Sequence, residues 1–556
     1  MALNPALFVS SFALILILFI RVTSGIDLSD EMQYYGEIKG LIETGRLFSN
    51  DLFIQQSVYI LLYPLFYLYH LAFGFDGLVF FGRLIMVFLT LAVFFYAYRK
   101  LTELNLSTLA ASLTAFSLCF AIPYHGVFAP SYNTVSQALW VVFALNYLKW
   151  KPKNEIVLGL LPIIMFFAHP TSAVTMMLFI LARLLIDREF YRARTILSAS
   201  LGGALFAIPV ALSFANPQQY LSSIAFSSGY GVGTVFFSNG TQQSILFGIF
   251  ALFIISFLFR GTFSRVRFAF PLLTPVLSVI AVVMSLEGLS GGAYSKGVVK
   301  LLALASAIAY AWALSSISQQ EEGQRALNWF VALLLGYAAT LGITSGNGVG
   351  QATGAFMVGL PLLMGLAVTY AANNPGKNQN RLLFNTNVIL VCALLITHWA
   401  QNPYREDVWW RANQPLSFVN EFRLIKSTPE RAAFIQQLQT YLNPIVKGKR
   451  MLLVSEYPAL YLALDGQAET CMLYMHSLTS DKSERVLLDC LNKKTPDVIV
   501  DILSNKNIAA DGSRIKKALQ TYYSQHGFEC TSKSITTATR RNVEENIRIS
   551  VCLIGI

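Results

Sequence analysis

Long apolar blocks alternate with short polar connections along most of this chain. A helix that crosses a bilayer needs about 20 mostly apolar residues. Roughly thirteen stretches approach that standard: 6–24, 77–98, 107–125, 132–150, 155–169, 171–187, 195–214, 243–260, 267–286, 297–315, 326–345, 351–371 and 382–400. The fifth and sixth share the break Ala168-His169-Pro170-Thr171. The pattern predicts a multi-pass α-helical membrane protein with about 13 transmembrane helices, followed by a small C-terminal α/β exterior domain.

The connections carry their own patterns. Residues 30–44 place Tyr34, Ile38, Leu41 and Ile42 on one helical face, with Glu37, Lys39 and Glu43 elsewhere. Ser29 or Asp30 is suited to cap that helix and Gly45 to end it. Residues 54–73 are apolar and aromatic around Pro64 and read as a segment at the membrane surface. The connection 214–242 is uncharged and rich in Gly, Ser and Asn, which predicts a mobile loop, of a kind that includes lids. After His398 the pattern changes to that of a soluble α/β unit. Residues 451–455 and 497–501 read as buried strands, 458–464 as a helix, and 534–537 with 547–553 as a closing hairpin. Two domains are expected, 1–400 in the membrane and 401–556 outside, with the first exterior loop at 25–76.

Composition agrees with this division. The chain of 556 residues is 55% hydrophobic and 13% charged, with a mean hydropathy of +0.54. Soluble domains hold roughly 25% charged residues. Fifteen Lys and Arg residues fall in one set of short connections, from Arg99 and Lys100 to Lys377 and Arg381, against Lys296 alone in the opposite set. Basic connections stay cytoplasmic, so the net charge of +11 reads as a topology signal and gives no reason to expect nucleic acid. The N-terminus is expected inside and the tail outside. The first block lacks a basic leader, since Arg21 lies beyond it, and reads as a retained helix. Four of the six cysteines (Cys471, Cys490, Cys530 and Cys552) lie in the tail, where disulfides can form, while Cys119 and Cys392 lie in spans.

The chemistry collects at the exterior ends of the spans. Asp27-Leu28-Ser29-Asp30-Glu31 follows the first span directly, and carboxylates at a membrane boundary are expensive enough to suggest function. Asp30 or Glu31 is a candidate general base or acceptor-orienting acid. The competing reading is a helix cap with a first-turn acidic pair, which local pattern alone favours. Tyr34, His125, Tyr132 and Asn133 are candidate substrate contacts, set against an aromatic belt and turn chemistry. Arg83 is a candidate partner of a phosphate or of the acidic cluster, and Lys296 a candidate phosphate partner, both set against snorkelling side chains. His169 fits a hydrogen-bonded structural residue better than a ligand. No zinc-type spacing, Walker loop or dinucleotide fingerprint occurs, so no metal residues are assigned and no nucleotide site is indicated.

The order of these features resembles the GT-C class of membrane glycosyltransferases, in particular the bacterial relatives of protein O-mannosyltransferases and lipid A aminoarabinose transferases. The resemblance is carried by Arg21, the acidic pair with its tyrosine (Asp30-Glu31-x-x-Tyr34), Gly45-Arg46-Leu47-Phe48, the aromatic stretch from Tyr63-Pro64 to Phe73-Gly74, and Arg83 opening the span that ends in Tyr98-Arg99-Lys100. Tyr457-Pro458-Ala459-Leu460-Tyr461 also looks like the family's exterior domain. The chain departs where a double proline is reduced to Pro64 and where a lysine near the Pro-Thr step is replaced by His169. The resemblance implies transfer of a sugar from a polyprenyl-phosphate carrier to a glycan, lipid or protein acceptor on the outer side of the cytoplasmic membrane. It implies Asp30 first, and Glu31 second, as the base. It leaves a divalent metal possible. A transporter or flippase of lipid-linked sugars would place charge at the bilayer midplane. An O-antigen ligase or polymerase would place its Arg and His residues in a large late loop. A non-catalytic assembly subunit is a further alternative.

Overall fold

The computed structural model describes residues 4–123, 127–148, 150–228, 321–344, 349–372, 409–473, 481–494, 496–504, 514–540 and 543–554. Within them the chain enters as α1 (Pro5–Thr23), started by Pro5 and by the Asn4 side chain accepting from Ala6 N–H at 3.0 Å. Then follow α2 (Asp30–Thr44), a 3₁₀ turn at Ile54–Val58, α3 (Tyr59–Phe73), α4 (Leu78–Glu103), α5 (Thr108–Ala121) and α6 (Tyr132–Leu148). Next come α7 (Glu155–Ala168), α8 (Pro170–Ile186), α9 (Phe190–Phe214), α10 (Pro217–Ser228), α11 (Glu321–Thr344) and α12 (Val349–Ala372).

Among the described residues, three helices are long and apolar enough to cross a membrane: α1, α4 and α9. Shorter apolar helices include α5, α7 and α8. The blocks expected at 243–260, 267–286, 297–315 and 382–400 lie outside the described residues. α9 turns Leu201, Leu205, Phe206, Ile208 and Leu212 outward, a surface suited to hydrocarbon. α4 packs against α1, α5 and α6, and so forms the wall on which the first connection rests.

That connection folds as expected at its helix and differently around it. α2 ends at Gly45, whose φ of +66° is the left-handed conformation glycine adopts without penalty. The segment after it continues through the 3₁₀ turn into α3, with Pro64 inside the helix. The expectation of a mobile loop at 214–242 fails over its first half. Residues 217–228 form α10, which docks on the first connection through Ser223 Oγ donating to Leu52 O (2.7 Å) and Ile54 N–H donating to Ser227 Oγ (3.0 Å). Residues 229–242 lie outside the described part.

The tail builds one five-stranded sheet from β3 (Arg450–Ser455), β4 (Gln467–Ala468), β5 (Val498–Ser504), β6 (Phe528–Arg540) and β7 (Val543–Ile554), in the order β4-β3-β5-β7-β6. A separate two-residue pair, β1 (Gln414–Pro415) and β2 (Lys426–Ser427), precedes it. β3 runs parallel to β4 and β5, and the other pairings are antiparallel. β3 and β5 carry the buried apolar runs Met451–Val454 and Val498–Val500, because both faces of the sheet are covered there. The helix expected over 458–464 is a single turn, Leu460–Ala463, and the hairpin strands run longer than their apolar pattern suggested. Disulfides join Cys471 to Cys490 and Cys530 to Cys552. Cys119 is buried and free, and Cys392 lies outside the described residues.

Tail and first connection are stitched together along one edge. Gly25 N–H donates to Lys426 O (2.9 Å), Ala459 N–H to Leu28 O (3.1 Å) and Leu52 N–H to Cys471 O (3.1 Å). Lys494 Nζ reaches Ser49 O at 2.6 Å, and Lys39 pairs with Glu421 at 2.6 Å. The buried Arg431 donates to Ile26 O.

Candidate functional site

The acidic cluster divides into residues with different surroundings. Asp27 is the residue that caps α2. Its Oδ1 accepts from Ser29 N–H (3.0 Å) and Ser29 Oγ (2.6 Å), and its Oδ2 accepts from Glu31 N–H (3.0 Å). Glu31 Oε2 accepts in return from Asp27 N–H (3.3 Å), a reciprocal arrangement akin to a capping box. Ser29 occupies the cap position without a side-chain capping bond, so the expected cap at Ser29 or Asp30 shifts to Asp27. Burial raises the Asp27 carboxyl to about 6, the negative charge of Asp30 adds to the rise, and the Ser29 and Glu31 bonds oppose it.

Glu31 is 1% exposed and binds Arg83, whose side chain is completely buried. Arg83 Nε meets Oε1 at 2.7 Å and Nη2 meets Oε2 at 2.9 Å, a fork-to-fork pair. The remaining donors go to carbonyls: Nη2 to Gly25 (2.7 Å), and Nη1 to Val22 (3.1 Å) and Ser24 (3.4 Å). Guanidinium has five N–H donors, and all five are accounted for. Of the readings open for Arg83, pairing with the acidic cluster is the one the structure has, in place of a phosphate partner or a snorkelling surface charge. Arg83 is an inward strut that ties α4 to the end of α1 and to α2. The same pairing removes Glu31 from the free bases, because its proton-accepting oxygens are held by a permanent cation.

Asp30 is the member left partly exposed, at the first position of α2. Tyr132, at the start of α6, lies within electrostatic reach of both Asp30 and Glu37. Tyr34 meets Tyr132 edge to face with ring centroids 6.1 Å apart, and the Asn133 amide donates to Tyr34 Oη at 3.5 Å. Three of the proposed contacts thus gather around Asp30, from helices distant in sequence. His125 and Lys296 lie outside the described residues. His169 sits between α7 and α8, its Nδ1 accepting from Ser172 N–H at 3.3 Å and in contact with Ser172 Oγ at 2.8 Å, which is a helix cap. Among the described residues, no group of three or more His, Cys, Asp and Glu is placed to hold a metal.

Sequence reading missed a second acidic pair. Glu37 and Asp51 are buried, and the Gln33 amide donates to both, at 2.9 Å to Glu37 Oε1 and 3.2 Å to Asp51 Oδ2. Asp51 also accepts from Phe53 N–H (3.0 Å) and Leu473 N–H (3.3 Å). Burial, then the charge of Asp51, pushes Glu37 well above the usual carboxylate range. Burial raises Asp51 to about 7 against its hydrogen bonds. The helical period places Glu37 off the apolar face of α2 and says nothing of a partner for it. Its spacing of three from Tyr34 and seven from Asp30 was the available signal, since those positions share a helical face.

No protein-family model matches this chain, and no curated protein matches it. Among solved structures, a match is found to the crystal structure of ArnT from Cupriavidus metallidurans bound to undecaprenyl phosphate. It covers 98% of this chain and 97% of that one, at 11% sequence identity and a TM-score of 0.39. Similarity at that level assigns no residue a role.

Proposed function

We propose that this protein is an integral-membrane glycosyltransferase of the GT-C type, with its N-terminus cytoplasmic and its tail outside. In this reading it transfers a sugar from a polyprenyl-phosphate carrier to an acceptor at the outer face of the cytoplasmic membrane. The observation that carries the reading is the division of labour at the head of α2. Glu31 is neutralised by Arg83, while Asp30 remains partly exposed beside Tyr132. A general base must reach its substrate, and of the two adjacent acids Asp30 is the one that is partly exposed while Glu31 is buried. The sequence order from Arg21 to Lys100 supports the same class.

The step is a single displacement. The acceptor oxygen attacks the anomeric carbon, the bond from that carbon to the carrier phosphate oxygen breaks, and the phosphate leaves with the electron pair. Asp30 takes the acceptor hydroxyl proton. Inversion at the anomeric carbon is expected, because a single displacement reverses that centre once. Tyr34, Tyr132 and Asn133 line the approach. Lys296 is the proposed partner of the leaving phosphate.

The test is Asp30→Asn in membranes supplied with a panel of polyprenyl-phosphate sugars. Loss of a general base costs roughly 10²–10⁴ in rate, with folding retained. Transfer at the wild-type rate by that variant removes Asp30 as the base. A C-terminal reporter found in the cytoplasm overturns the topology.

A further inference from the structure

Glu37 and Asp51 belong neither to the Asp30 site nor to the Glu31–Arg83 pair, yet both are buried acids of the first connection. Their partners come from four places. Gln33 belongs to α2, Phe53 N–H to the segment that leads into the 3₁₀ turn, Leu473 N–H to the tail, and Tyr59 to the start of α3, against Glu37. The tail contact is anchored. Leu473 lies two residues after Cys471, which is bonded to Cys490 and accepts from Leu52 N–H. Glu37 in turn lies two helical turns from Asp30 along α2. We propose that Glu37 and Asp51 act as positioning residues that share one proton, latching α2 to the disulfide-clamped 471–473 segment and so fixing Asp30 and Tyr34 at the site.

The reasoning is electrostatic. Gln33 Nε2 lies 2.9 Å from Glu37 Oε1 and 3.2 Å from Asp51 Oδ2, so one nitrogen brings the two carboxyls side by side. Two carboxylates that close cannot both ionise cheaply, and one held proton turns repulsion into a hydrogen bond. The surrounding groups leave the proton as the main source of neutrality. Tyr59 lies within electrostatic reach of Glu37 from the first connection, with Tyr34 and Tyr35 behind it, Tyr132 reaches Glu37 and Asp30 from the site side, and Tyr461 lies within reach of Asp51 from the tail. Lys494, the tail cation nearby, is bonded to the Ser49 and Thr470 carbonyls and lies 3.6 Å from Glu469. Gln33 offers one nitrogen to both acids and keeps them in register.

The positioning rests on the glycosyltransferase reading, but the latch does not, so the experiment has two arms. Glu37→Gln makes one partner permanently neutral with its shape retained. In the first arm, thermal stability of wild type and variant in detergent is followed from about pH 5 to about pH 9. Wild type should lose stability as the shared proton is withdrawn, and the variant should show at most about half of that loss. In the second arm, the ratio of sugar transfer at about pH 9 to that at about pH 6 should rise about tenfold or more in the variant. Gln33→Met, which removes the bridging amide and keeps both acids, should leave the wild-type direction of both pH dependences. Identical stability profiles for wild type and Glu37→Gln overturn the latch, whether or not transfer is found. A changed stability profile with an unchanged transfer ratio overturns the positioning role. Failure to detect transfer with any donor counts against the glycosyltransferase reading and leaves the first arm decisive for the latch.

Discussion

Glu31 and Arg83, fifty-two residues apart, close a bidentate ion pair with the guanidinium fully buried between α1, α2 and α4. Its immediate neighbour Asp30 is partly exposed, so one dipeptide supplies both the buried strut and a more accessible acid. Adjacent helical residues project about 100° apart, which turns one inward against α4 and the other toward Tyr132.

That geometry predicts different failures for the two residues. Removing one partner of a buried pair costs about 3–5 kcal/mol, because the other is left charged and unpaired. Arg83→Met and Glu31→Gln should each lower the thermal midpoint clearly, and activity should fall with the folded fraction. Asp30→Asn should leave the midpoint within a degree or two and act on the rate alone. Thermal unfolding followed in detergent, with specific activity per folded molecule, separates the cases.

Gly82 explains how the pair fits. A Cβ at that position would lie 2.3 Å from Tyr35 Cε1 and 2.7 Å from its Oη, and Tyr35 is fully buried. Gly82→Ala must push α2 away from α4 beside Arg83. Overpacking of this kind costs about 1–3 kcal/mol. The substitution should destabilise the protein, and Tyr35→Leu, which removes the obstructing ring edge, should restore much of the loss in the double variant.

The α2 helix, its end at Gly45, the apolar helices over the first 214 residues and the buried strands of the tail were legible because each follows from a local period or a local breaker. The pairing of Glu37 was not legible, for a physical reason. Its partner Asp51 lies beyond the Gly45 turn, and only the tail, through Leu473, closes the cavity around them. For Arg83 the pattern offered both a phosphate and the acidic cluster and did not choose, since a lone arginine in a span reads the same whether it meets a carboxylate or a headgroup. Four tail cysteines allow three pairings, and the sequence does not choose. The register does, by placing Cys530 opposite Cys552 on neighbouring strands.

The Cys471–Cys490 bond closes a loop of nineteen residues in sequence and holds the segment that contacts Leu52 and Asp51. A disulfide closing a loop of that size contributes about 3 kcal/mol. Cys471→Ser with Cys490→Ser should lower the thermal midpoint and speed proteolysis around 471–473. The Cys530–Cys552 bond joins strands already paired along β6 and β7, so its removal should leave that site's protease resistance unchanged. Limited proteolysis with mass mapping reads the difference.

Acid and base should act on stability in a direction set by the buried acids. Asp51 has a carboxyl raised from 3.8 to about 7, and Asp27 one raised to about 6, both by burial first. The folded state therefore holds protons that the unfolded chain has released over that interval. Stability changes with pH in proportion to the protons bound by the unfolded state minus those bound by the folded state, and for these groups that difference is negative. Their contribution is fully present below about pH 4, falls as the pH rises from about 4 to about 7, and is level above. Thermal midpoints measured across that interval should fall less in Asp51→Asn than in wild type. An equal or steeper fall in the variant would show that Asp51 enters the folded protein already ionised.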